Sequence, residues 1–212
     1  LDVLVGAEVR FVTPEEYRRL EPPRDAYWIP EGASNEVGMW GYVAACEELR
    51  GRKFAAIVHA VGSGVSTAAV QIAKAAGATV IGTSRTPEKL ERARALGLDH
   101  GLLVGKEEPR FADEVKKLTG KRGCPVILDF VGAPYAAENL AALAPGGRIV
   151  VIGTMGGAKA TLDLSILMRA RGAIVGTVLR PRPLEEKIAA TRAFARDVLP
   201  LLAAGRVRPV VD

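Results

Sequence analysis

The chain has 212 residues, 49% hydrophobic and 25% charged, with 29 Lys and Arg against 24 Asp and Glu for a net charge of +5. This is a globular composition with enough length for a sizeable core, and its basic residues are interleaved with acids, as in "PEEYRRLEPPR" and "RTPEKLERARALG", which describes solvated helix faces rather than a nucleic-acid stripe. No apolar run approaches the roughly 18 residues that span a bilayer, no leader-like segment opens the sequence, and Cys46 and Cys124 match neither a metal nor a disulfide spacing, so a cytoplasmic protein is expected with no membrane or nucleic-acid partner.

In chain order, the first 50 residues hold both tryptophans and six of the 11 aromatics. Strands are expected at "AEVRFV" (7–12) and "AYWIP" (26–30), a short helix at "PEEYRRL", and a helix in "SNEVGMWGYVAACEELR" opened by Ser34 or Asn35. The aromatics are read as wedges that pack this segment against the main sheet. From Phe54 onward the apolar runs "AAIVHAV", "ATVIGT", "HGLLV", "PVILDFVG", "GRIVVIG" and "GAIVGTV" alternate with helical patterns at 63–76, 86–96, 107–119, 134–143, 162–170 and 184–204. Six strands alternating with helices predict a parallel sheet. Their continuous apolar character predicts cover on both faces, an α/β doubly wound Rossmann-like sheet of order 3-2-1-4-5-6 counted from Ala55, plus one or two N-terminal strands. Residues 1–212 are read as one α/β domain. Pro87 suits a helix start and Gly77 and Gly97 suit helix ends. The run near 172–178 reads as an exposed edge, so the chain is expected as a monomer or as a homodimer paired through that edge.

The stretch "IVHAVGSGVSTAAVQIAK" (57–74) is a strand, a glycine turn and a helix. Gly62, Ser63 and Gly64 set backbone N–H groups at a helix N-terminus, where unpaired donors and the macrodipole favour a phosphate oxygen. A dinucleotide and pyridoxal phosphate both carry one. The dinucleotide fingerprint G-x-G-x-x-G has Thr67 in place of its third glycine, but a second strand ends about 20 residues on, where the ribose is read. There the chain places Ser84, Arg85 and Lys89 rather than an acid, which suits a 2'-phosphate and favours NADP(H) over NAD(H). His59 and His100 are read as structural, Tyr135 as helix-start packing, and Asp129 receives no role.

From about Arg52 to Asp212 the chain resembles the cofactor domain of the medium-chain dehydrogenase/reductases, near their zinc-independent NADPH:quinone oxidoreductase branch. The stretches that carry this are "VHAVGSGVSTAAVQIAKAAGATVIGT", "EKLERARALG", "PVILDFVGAPYAAENLAALAPGGRIVVIGTMGGAKATLDL", "TVLRPRPLEEK" and "VLPLLAAGRVRPVVD". The resemblance implies that Gly62, Ser63, Gly64, Val65 and Ser66 take the pyrophosphate, that Ser84, Arg85 and Lys89 take the 2'-phosphate, and that Val131, Gly132, Gly153 and Thr154 line the nicotinamide side. Two features depart from the family pattern: its Ala-x-x-Gly-x-x-Gly reads Ala60-x-x-Ser63-x-x-Ser66, and its Asn-Tyr after the third strand is absent from "LLVGKEE". The catalytic, GroES-like domain of that family has no counterpart in this sequence, so an enzyme complete in itself is not expected.

Residues 1–60 resemble another family, the D-cysteine desulfhydrase and 1-aminocyclopropane-1-carboxylate deaminase branch of fold-type II pyridoxal-phosphate (PLP) enzymes. "LVGAEVRFV" and "AYWIPEGASNEVGMWGYVAACEEL" carry that resemblance. No lysine sits in the family's Schiff-base context, Lys53 being the first in the chain, so covalent PLP chemistry is not expected. Two families meeting within one helix-strand-turn-helix unit suggest an engineered fold chimera, spliced between about residues 50 and 64, with a PLP-enzyme-like segment 1–52 and an NADP-binding segment 53–212. On that reading the chain has no evolved catalytic function, no catalytic residue and no metal ligand, and keeps NADP(H) binding at the turn. The alternatives are the cofactor domain of an NADPH-dependent quinone oxidoreductase-like reductase, and PLP binding without catalysis.

Overall fold

The structure, a computed structural model, describes residues 55–58, 61 and 64–210. Segment 1–52 with its expected strands, together with His59, Gly62 and Ser63, lies outside the described residues.

Six parallel strands alternate with helices as the apolar runs require. They are β1 (Ala55–Val58), β2 (Thr79–Ser84), β3 (His100–Leu103), β4 (Cys124–Asp129), β5 (Leu143–Val151) and β6 (Ala173–Gly176). The sheet order is β3-β2-β1-β4-β5-β6, so β1 lies at its centre, with Ile57 opposite both Ile81 of β2 and Ile127 of β4. The order reverses between β1 and β4, and a doubly wound sheet opens its ligand crevice at the carboxyl ends of the strands on either side of that point.

The helices are α1 (Gly64–Ala75), α2 (Pro87–Arg94), α3 (Ala112–Leu118), α4 (Ala136–Ala142), α5 (Leu164–Ala170), α6 (Leu184–Asp197) and α7 (Leu199–Ala203), with a 3-10 turn at Ala133–Tyr135 before α4. Neighbouring residues of each inner strand point to opposite faces, so the sheet separates two cores. Val80, Val126 and Leu128 pack with Val70, Ile72 and Ala73 of α1, Leu90 of α2 and Phe194 of α6. Ile81, Ile127 and Ile149 pack with Val115 of α3, Leu140 of α4, Phe111 and Tyr135. Both cores are built from fully or nearly fully buried side chains, which is why the inner strands read as unbroken apolar runs. The outermost strand β6 is different: Ile174 and Val175 are exposed.

Pro87 stands in the first turn of α2, and Gly77 and Gly97, with φ of +83° and +105°, follow α1 and α2 as helix-ending residues. Two expected helices are shorter than their patterns. The helix expected over 107–119 begins at Ala112, because the carboxylate of Glu138 on α4 accepts the N–H groups of Phe111 (2.6 Å) and Ala112 (2.7 Å) and fixes the first turn there. The pattern at 184–204 is two helices divided at Val198, where Pro200 has no N–H with which to continue the first.

Candidate functional site

α1 follows the central strand β1, its first turn contains no acidic residue, and none of Gly64, Val65 and Ser66 lines the cavities described below. Of the five turn residues, Gly62 and Ser63 lie outside the described residues; Gly64 and Val65 are half-buried and Ser66 is buried. Thr67, which stands where the fingerprint has its third glycine, is also buried, and its Oγ1 donates to the Gly64 carbonyl at 2.9 Å, so the hydroxyl is satisfied inside the helix.

A cavity of about 250 Å³ opens at the carboxyl ends of β2 and β3, lined by Ser84, Arg85, Thr86, Lys89, Gly105 and Lys106 on one side and by Val61, Val131, Pro134, Tyr135, Met155 and Gly156 on the other. The three residues singled out for a 2'-phosphate therefore meet in one cavity. Ser84 is buried, and its Oγ accepts the Thr86 N–H at 3.2 Å, which leaves the hydroxyl proton to donate outward. Arg85 and Lys89 are exposed and form no ion pair among the described residues. The nearby acid Glu88 lines a separate surface groove with Glu91 and Arg94.

Tyr135 is more than helix-start packing. It is buried, its ring lies 5.4 Å from that of Phe111 at an interplanar angle of 50°, and its hydroxyl shares a hydrogen bond with buried Thr83. Burial raises its pKa above the ordinary tyrosine value, which the Thr83 bond and the Arg85 charge only partly offset. At neutral pH the cavity wall therefore presents a neutral hydroxyl.

On the nicotinamide side the loops after β4 and β5 are zipped together. The Gly156 N–H donates to Val131 O (2.8 Å), the Ala133 N–H to Gly157 O (2.9 Å), and Gly132 bridges Gly157 in parallel. Gly132 has φ +84°, and a Cβ there would stand 2.5 Å from the Gly157 carbonyl oxygen, so only glycine lets the loops approach this closely. Asp129, which the sequence left without a role, anchors the arrangement. Its Oδ1 accepts the Val131 (2.8 Å) and Gly132 (3.0 Å) N–H groups and its Oδ2 the Asn139 side-chain amide (2.9 Å). Burial raises its pKa, against the lowering effect of those three donors.

The zipper also separates the four nicotinamide-side residues. Val131 lines the cation-lined cavity; Gly132 and Thr154 line a second cavity of about 220 Å³ with Asp129, Asn139 and Leu162. Gly153 lines neither and packs against the Phe130 backbone. Lys106, Met155 and Gly156 were not singled out from the sequence. Lys106 follows β3 as Arg85 follows β2, and the rule that ligands gather at the carboxyl ends of parallel strands could have pointed to it.

Fold and site together define a doubly wound α/β domain with a cationic corner at the carboxyl ends of its strands. The profile of the family described as "Zinc-binding dehydrogenase" matches residues 64–195, and the chain belongs to that family. Among relatives, the spectinabilin polyketide synthase system protein NorB of Streptomyces orinoci is 30% identical over 209 residues, 94% of this chain and 9% of that protein. Among solved structures, the quinone oxidoreductase of Thermus thermophilus, determined also as its complex with NADPH, is 29% identical with a TM-score of 0.68, over 86% of this chain and 59% of that one. An NAD-dependent alcohol dehydrogenase is 33% identical with a TM-score of 0.68, over 82% of this chain and 47% of that one. The chain spans 41% and 45% of the length of two curated relatives that it matches. Despite the family's name, no three His, Cys, Asp or Glu side chains among the described residues are grouped to hold a metal ion, so zinc has no seat among them.

Proposed function

We propose that the chain is the cofactor-holding part of an NADP(H)-dependent reductase of the quinone oxidoreductase kind. The observation that carries this is the corner at the end of β2: Ser84 with a free donor proton, and Arg85 and Lys89 without an acid partner among the described residues, all on one cavity. A site that reads an unmodified ribose would present a carboxylate there to accept from the 2'-hydroxyl, whereas donors and cations suit a phosphate dianion. The N-terminus of α1, with Gly64, Val65 and Ser66 in its first turn and Gly62 and Ser63 before it, is assigned the pyrophosphate. Val131, Gly132, Gly153 and Thr154 are assigned the floor beneath the nicotinamide. The chemistry such a cofactor supplies is hydride transfer from its nicotinamide ring, and an electron-poor acceptor such as a quinone is the proposed substrate class of the whole protein. A wall that holds the acceptor and excludes water would come from protein beyond this layer.

This reading is preferred to an engineered chimera because one alignment with the polyketide synthase protein covers 94% of the chain, enough to run across the supposed seam and into the first 50 residues. Binding of PLP has no comparable support, since the only phosphate feature it would use is the turn itself. Calorimetric titration with NADPH and NADH tests the proposal. NADPH should bind at least about tenfold more tightly, one or two charge-assisted contacts to the 2'-phosphate being worth that much. Comparable affinity for the two overturns it.

A further inference from the structure

The same cavity holds a third cation. Lys106, two residues beyond Val104 and its bond to the Ser84 carbonyl, lines the same side of the cavity as Arg85 and Lys89, at the ends of β2 and β3. Its surroundings leave it uncommitted. Lys106 forms no ion pair or hydrogen bond among the described residues, and Glu108, two residues on, is engaged by Arg110 through Nε (3.2 Å) and Nη2 (3.0 Å). Gly105 beside it also lines the cavity, and a Cβ there would lie 3.2 Å from the Glu108 carbonyl, so the turn that carries Lys106 is tight. No carboxylate lines the cavity among the described residues. Three exposed cations line a volume of about 250 Å³ with no acid among the described lining residues, so solvent weakens their mutual repulsion and a bound anion would lower it further.

We infer that Lys106 is a specificity-determining residue, the third cation of a site for a phosphomonoester on the ribose of an adenine nucleotide. The inference rests on the NADP(H) reading above and extends to the loop after β3 a role that the residue pattern assigns to the loop after β2 alone. Lysine suits it as a mobile point charge that can follow a phosphate at the cavity edge, while Arg85 and the Ser84 hydroxyl give it direction.

The experiment is a calorimetric comparison of adenosine 2',5'-bisphosphate with adenosine 5'-monophosphate on the unmodified chain, Lys106→Ala and Lys106→Arg. Lys106 is exposed, so neither substitution disturbs a core. Lys106→Ala should weaken the bisphosphate by about tenfold and leave the monophosphate unchanged, as loss of one contact to a charged group implies, and Lys106→Arg should restore most of the loss. Equal binding of the bisphosphate by Lys106→Ala and the unmodified chain overturns the inference and leaves the NADP(H) reading standing. So does equal weakening of both nucleotides, which would place Lys106 elsewhere on the ligand. If the unmodified chain shows no preference for the bisphosphate, the NADP(H) reading and the inference fall together.

Discussion

Asp129 is a single buried carboxylate on which a whole loop is hung. Asp129→Asn keeps the shape but cannot accept on both sides, so either the loop N–H groups or the Asn139 amide is left facing another N–H, at a cost of about 1–3 kcal/mol. Its titration adds a second signature. Burial raises the folded-state pKa, so the native protein holds this proton more tightly than the unfolded chain. Its contribution to stability is full in acid and declines as pH rises from the unfolded carboxylate value of about 4 through the folded one. The deficit of Asp129→Asn should therefore be smaller at about pH 7 than at about pH 4 in urea melts, and a deficit that grows with pH refutes the assignment. Asp99 has the opposite sign: burial raises its pKa, but the Lys74 ammonium and the Val80 N–H outweigh that and leave it lowered. Its contribution is present above the unfolded value and is lost as pH falls through the folded one. With Lys74 largely exposed, Lys74→Met should cost no more than about 1 kcal/mol.

At the scale of elements, the joint between α3 and α4 depends on one side chain. Glu138→Ala removes the acceptor for two helix-opening N–H groups, and a loss of about 1–2 kcal/mol in chemical denaturation is expected, with less helix at 112–118. The glycine zipper gives a sharper test. Gly132→Ala combines a left-handed backbone with a Cβ driven into the Gly157 carbonyl, so it should cost about 2 kcal/mol or more and pull the loops after β4 and β5 apart. Fluorescence or calorimetry should then show weaker NADPH binding, and unchanged affinity would remove the zipper from the cofactor floor. These elements also show what a sequence displays and what it hides. The parallel, doubly wound sheet was legible in apolar runs alternating with helical patterns, because its central strands are covered on both sides. Ser84, Arg85 and Lys89 were legible because they sit at a fixed distance after a glycine turn. The start of α3 was not, since the acceptor that sets it lies 27 residues away from Phe111 on another helix. Asp129 and Tyr135 were hidden for the same reason: nothing local marks their partners, and only the sheet brings them together, whereas Lys106 carried a signal in its place just after β3.

For the molecule as a whole, β1 is central and every inner strand is parallel, so the fold is assembled from contacts distant in sequence. Gln71 on α1 is one of the longest of these. It is buried, its Nε2 donates to Arg208 O (3.0 Å), and its Oε1 accepts the Arg208 N–H (2.9 Å) in the manner of a strand partner. Gln71→Ala should cost about 2 kcal/mol through two backbone groups left without partners, and hydrogen exchange at 206–208 should quicken while β4 stays protected. Equal protection in the variant would show that buried Val207 holds the segment without help.

That pairing also has a consequence in time. The two partners are 137 residues apart, so a ribosome adding about 5–20 residues per second delivers Arg208 roughly 7–27 s after Gln71. During that interval α1 can dock on the sheet with the buried Gln71 amide held only by the Thr67 carbonyl of its own helix (3.3 Å), its carbonyl oxygen still waiting for the Arg208 N–H. The nascent chain thus carries an unfilled socket on α1 until residues 206–208 arrive.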